Sequence, residues 1–219
     1  MNPVGDYRTF YDEFLRKYDD YADNEIISFG ILLADYRQTA TREYILNYLQ
    51  DFDYLSGKLI DFFIPGYIEA WNVGRCTRDT MSRNNGSIQV RGTDYVFVEE
   101  IFRSFIHNLQ SQFGIRYTYN PMLILMSMER CYIQTARYIV FELDTIPGGI
   151  RRSGELFRRI FDVAREDTSL EAYRNRCYHI YIKDNIVEKF SAAIGLPWLE
   201  EITRVGTEYK RYKIRSIFR

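Results

Sequence analysis

Two short, almost uninterrupted apolar runs with one amphipathic segment between them constrain this chain more than any other feature. The first, Ile26-Ile27-Ser28-Phe29-Gly30-Ile31-Leu32-Leu33-Ala34, is closed by Asp35-Tyr36-Arg37. The second, Lys58-Leu59-Ile60-Asp61-Phe62-Phe63-Ile64, is stopped by Pro65-Gly66. Runs of this length without polar alternation read as strands buried on both faces. Between them Tyr44, Ile45, Tyr48, Leu49, Phe52 and Leu55 recur at helical spacing. Thr39 or Thr41 would cap that helix and Ser56-Gly57 would end it. Strand, helix, strand predicts a parallel pair joined by a right-handed crossover, and so an α/β chain.

The flanking segments extend this unit. Tyr7, Phe10, Tyr11, Phe14, Leu15 and Tyr18 form one stripe of an N-terminal helix with Asp6 as its N-cap. Residues 67–93 are polar and turn-rich and read as an insertion, with a short strand at Ser87–Val90. A helix is expected from Asp94 to Phe113, ended by Gly114. Met122–Met126 and Tyr138–Leu143 read as strands joined by a turn near Glu129-Arg130. After Pro147-Gly148-Gly149 comes a helix carrying Leu156, Phe157, Ile160, Phe161, Val163 and Ala164. Residues 170–219 read as a C-terminal helical extension broken by Gly195, Pro197 and Gly206. The expectation is one domain over residues 1–219 with its core at about 26–166.

Composition narrows the function classes. Cys76, Cys131 and Cys177 are odd in number and far apart, which argues against a disulfide framework and for a reducing, cytoplasmic setting. The opening Met1-Asn2-Pro3-Val4-Gly5-Asp6 has neither the basic region nor the apolar run of a secretory signal, and no apolar run is long enough for a membrane span. A net charge of −1 does not suit a chain-wide electrostatic grip on nucleic acid. His107 and His179 are isolated, and no metal-ligand spacing is present, so no metal site is expected. Aromatic residues are unusually frequent, with 19 Tyr and 15 Phe. Tyrosine joins an apolar ring to a polar tip and suits core edges and interfaces alike.

Leaving out the first helix and the insertion, the element order is β-α-β-α-β-β-α. This resembles the thioredoxin-like superfold over roughly residues 26–166, by order of elements alone. In that fold a cis-proline stands before the third strand and faces the start of the first helix. Asn120-Pro121 stands at that place, just ahead of Met122–Met126. Members that exchange disulfides carry Cys-x-x-Cys at the first strand–helix junction. The matching segment, Asp35-Tyr36-Arg37-Gln38-Thr39-Ala40-Thr41-Arg42, holds no cysteine. It therefore lacks the thiolate such chemistry needs.

Four places offer other chemistry. Arg37, Thr39, Thr41 and Arg42 at a helix start suit an anion, or else a helix cap and two solvated arginines. Arg151, Arg152 and Ser153 after a glycine pair suit a phosphate, or else an ordinary strand-to-helix turn. Arg75, Arg78 and Arg83 in the insertion, and Lys210, Arg211 and Lys213 near the end, are candidate contacts to a protein or nucleic-acid partner, or else solvated charge. The expectation is a non-catalytic binding or interaction protein on a redox-inactive thioredoxin-like scaffold. It would recognise a protein partner or an anionic, phosphate-bearing ligand, with no cofactor. The alternative is a Mg²⁺-dependent phosphate-directed enzyme, or a nucleotide-binding component of a bacterial conflict or defence system. Carboxylates near strand ends, among them Asp35, Asp61, Glu69, Asp79, Glu142 and Asp144, would hold its metal.

Overall fold

A mixed five-stranded sheet with helices on both faces organises the chain. The computed structural model describes residues 1–18, 26–56, 60–72, 86–129, 132–143 and 149–177. The sheet contains β1 (Asn2–Val4), β2 (Ile26–Leu33), β3 (Asp61–Pro65), β7 (Met122–Glu129) and β8 (Tyr132–Glu142), in the order β1-β3-β2-β7-β8. β3 runs parallel to both β1 and β2, as the strand–helix–strand pattern requires. β7 is antiparallel to β2 through eight paired residues, from Ile26↔Glu129 to Leu33↔Met122, and antiparallel to β8. The fold is α/β, as the alternating pattern indicates.

Alternation along the strands sorts the core into two layers. Neighbouring residues of a strand point to opposite faces. Phe63 meets Phe10 of α1 (Tyr7–Tyr18) edge-on, with centroids 5.0 Å apart, and Phe10 in turn meets Phe105 of α4 (Glu99–Phe113) at 5.7 Å. Phe62, one residue earlier, meets Phe157 and Phe161 of α5 (Ser153–Ala164) at 6.0 and 5.5 Å on the other side. Phenylalanines supply much of this core, since Phe10, Phe14, Phe29, Phe62, Phe63, Phe105, Phe157 and Phe161 are all buried.

Local signals behave as read at several points. The Asp6 carboxylate accepts the Thr9 N–H at 2.8 Å and caps α1. Gly114 ends α4 with φ +66, the left-handed geometry that glycine takes without strain. The strand at Ser87–Val90 is β5.

Several expectations are corrected. Residues Thr93–Phe97 are strand β6, and the helix begins at Glu99 rather than at Asp94. Arg91 and Gly92, at φ +52 and +79, make the two-residue turn that pairs β5 with β6. Positive φ at both central residues matches the twist of a hairpin, so the segment commits to a strand first. β6 also pairs with β4 (Tyr67–Glu69), so what reads as an irregular insertion contains an antiparallel three-stranded sheet ordered β4-β6-β5.

The helix expected from Thr39 to Leu55 is broken into α2 (Thr39–Tyr44), a 3₁₀ turn (Leu46–Tyr48) and α3 (Leu49–Leu55). Side chains take the carbonyls that would continue it. Asn47 donates to Glu43 O at 3.2 Å and Ser153 to Tyr44 O at 3.1 Å. The residue at the N-cap is Gln38, not a threonine, and it makes no side-chain capping bond.

The Asn120–Pro121 bond is trans, since no described peptide bond is cis. The proline holds the expected place before β7 without the isomer that the resemblance carries. Residues 170–177 are helical, capped where the Ser169 hydroxyl accepts the Ala172 N–H at 3.2 Å. Among the described residues no helix is long and apolar enough to cross a membrane.

Candidate functional site

The carboxyl end of β2 is where charge gathers. The apolar strand delivers Asp35 into a position only 4% exposed. One carboxylate oxygen accepts the backbone N–H of Arg37 at 2.9 Å, and both accept from the Arg37 guanidinium, with Nε at 2.9 and 3.2 Å. Arg37 also pairs with Glu99 in the first turn of α4, and Glu99 pairs with Arg103 one turn on. Hydrogen bonds that the guanidinium donates to Asp35 first, and then to Glu99, raise the Arg37 pKa further above its ordinary value. The four residues form a chain of alternating charge that ties the β2–α2 junction to α4.

The other candidates at this junction have internal partners too. The Arg42 guanidinium donates to the carbonyls of Tyr36 at 2.8 Å and Arg37 at 2.9 Å, and to the Thr39 hydroxyl at 3.0 Å, while lying over the Tyr36 ring. The Thr41 hydroxyl is buried and donates to the Gln38 side-chain oxygen at 3.2 Å. The Gln38 amide donates across to the Tyr119 carbonyl. The loop before β7 therefore faces the start of α2.

The second candidate group sits at the other end of α2. Arg151 lies over the Tyr44 ring at 5.7 Å, and Ser153 bonds to the Tyr44 carbonyl. Ser153 is the first residue of α5 and fully buried, so its hydroxyl joins two elements. Arg152 belongs to the 3₁₀ turn Gly149–Arg152. A helix of six residues is about 9 Å long, so the two groups stand roughly one short helix apart. Arg75, Arg78, Arg83, Lys210, Arg211 and Lys213 lie outside the described residues, as do Asp79 and Asp144. Among the described residues, no three His, Cys, Asp or Glu side chains stand close enough to hold a metal.

Two tyrosines that belong to no sequence motif complete the junction. Tyr67 is buried and donates to the Ala34 carbonyl at 3.2 Å, just before Asp35. Tyr117 packs edge-on against Phe102 at 5.7 Å, and its buried hydroxyl has no hydrogen-bond partner among the described residues. The Gln38 amide stands near enough for an N–H to lower the Tyr117 pKa by approaching the phenol oxygen, which leaves the Tyr117 O–H itself without an acceptor among the described residues. Burial first, and then Asp35, pushes the phenol well above the ordinary tyrosine range. Nothing in the spacing of Tyr117 marks it out, because its position is set by the long-range return of β7 beside β2.

The ion-pair chain gives the first test. Arg37→Met leaves the Asp35 carboxylate buried with one backbone donor. Stranding a buried charge costs about 3–5 kcal/mol. The Arg37 side chain is 43% exposed, which lowers the expectation to about 2 kcal/mol in urea denaturation. An unchanged midpoint would show that the pair holds nothing together.

No protein-family model matches this chain, and no curated protein or solved structure is significantly similar to it.

Proposed function

We propose that this chain is a non-catalytic binding module on a redox-inactive thioredoxin-like scaffold, and that it presents the β2–α2 junction and the loop before β7 to a protein partner in a reducing, cytoplasmic setting. The observation that carries the reading is the order and direction of the elements. A parallel β-α-β unit (β2, α2–α3, β3) is followed by α4, an antiparallel pair (β7, β8) and α5. At the junction where that scaffold carries its cysteines stand Asp35, Arg37 and Gln38. Arg37 and Arg42 are engaged with neighbouring protein groups, so an anionic ligand would have to compete with Asp35 and Glu99 for Arg37. The geometry thus favours a partner recognised by shape and hydrogen bonding over one recognised by charge.

The cysteines test the reading. Burial pushes the Cys177 thiol up to about 12, so its thiolate is scarce at neutral pH and the residue is a poor nucleophile. With dithiothreitol, the protein should reduce insulin no faster than the reagent alone. Reduction above that rate, lost on Cys76→Ser or Cys131→Ser, would overturn the redox-inactive reading.

A further inference from the structure

The segment between Gly114 and Met122 carries two features that the fold does not explain. The first is Tyr119, a non-glycine residue at φ +66 with 77% of its surface exposed. A bulky residue in the left-handed region is strained, and burial of the ring does not offset that strain here. The second is the Tyr117 hydroxyl, buried without a partner among the described residues, which also costs stability. The two rings lie side by side, with centroids 5.7 Å apart.

The backbone around them is open as well. From Ile115 to Asn120 no N–H or C=O pairs with another backbone group among the described residues. The Tyr119 carbonyl is taken by the Gln38 side chain. Unpaired main chain beside an unsatisfied donor and an exposed ring is the set of groups that an added peptide strand uses.

We propose that Arg116–Asn120 is a docking strip for an extended peptide segment of a partner protein. The peptide main chain pairs with the unpaired groups of the strip. One of its carbonyl oxygens takes the Tyr117 O–H once the Tyr119 ring swings aside, and that ring then covers the peptide. This rests on the binding-module reading and names the ligand class.

The local field favours a neutral acceptor. At the Tyr117 phenol the Asp35 carboxylate outweighs the Arg37 cation. A phosphate or carboxylate there would be repelled by Asp35, whereas a neutral peptide carbonyl would not.

The test uses the full chain and a library of random linear peptides displayed on phage. Peptides enriched on the wild type should bind Tyr117→Phe about tenfold or more weakly, the scale of one hydrogen bond in a desolvated site, and should also bind Tyr119→Asn more weakly because it lacks the covering ring. Both variants should unfold no earlier than the wild type, because one removes an orphaned hydroxyl and asparagine tolerates positive φ. Peptides that bind both variants as well as the wild type place binding elsewhere. That overturns the strip and leaves the module reading intact. Absence of any enriched peptide, or earlier unfolding of either variant, also overturns it. Insulin reduction by the wild type would overturn the module reading separately.

Discussion

Phe157→Ala should lower the stability of this protein by about 4 kcal/mol, with the unfolding midpoint falling by roughly 8–16 °C for a chain of this size. Phe157 is fully buried on α5. Its ring stacks on Phe52 of α3, with centroids 4.1 Å apart at 28°, and meets Phe62 of β3 edge-on at 6.0 Å. One side chain therefore ties α5 to α3 and β3, both far from it in sequence. Truncation loses the transfer free energy of the ring and leaves a cavity between the sheet and two helices. The helices cannot close on it independently, because Ser153 pins the start of α5 to the Tyr44 carbonyl. Phe157→Leu keeps most of the volume and should cost about 1–1.5 kcal/mol. Denaturant titration of both variants checks the pair. A loss below about 1 kcal/mol for the alanine variant would mean that α5 is not held against the sheet as described.

The same residue shows what the sequence makes legible. Phe157 and Phe161 lie on a helical stripe, and Phe62-Phe63 lie in a short apolar run, so the elements and their core residues can be read locally. What cannot be read is which layer each joins. Adjacent phenylalanines enter opposite layers because the strand alternates, and only the docked helices show which layer is which. The β5–β6 hairpin was half visible. Ser87–Val90 stands out, but Asp94 followed by apolar residues at helical spacing mimics a helix start. The Arg91-Gly92 turn and the pairing of β6 with β4 decide against it. The break after Tyr44 is tertiary in the same sense, since a serine from more than a hundred positions away helps to cause it. At the site, Arg37, Thr39, Thr41 and Arg42 are legible as residues at a strand–helix junction. Their partners Glu99 and Tyr119, and the unsatisfied Tyr117 beside them, come from elements brought there only by the crossovers to α4 and β7.

Gly30→Ala is the sharpest test of how tightly the centre of the sheet is built, with an expected loss of about 3 kcal/mol. Gly30 sits in β2 between β3 and β7, opposite Phe62 on one side and Leu125 on the other. A methyl group there would fall 2.3 and 2.4 Å from two carbons of the Phe62 ring. No real contact is that short, so either the ring or the strand has to move. The ring cannot move cheaply. It is fully buried and wedged between Phe157 and Phe161. The strand is fixed too, by pairing on both edges. Glycine's ordinary weakness in a strand would make alanine neutral or stabilising at an unconstrained position, so the sign of the effect is itself informative. The cause can be isolated with a double-mutant cycle. Phe62→Leu removes the ring edge that the methyl would strike and is destabilising by itself. In its background Gly30→Ala should cost about 1 kcal/mol or less, giving a coupling of roughly 2 kcal/mol between the two sites. Additive losses would mean that the glycine is required by the strand itself, whereas strong coupling would locate the requirement in the space that Phe62 fills.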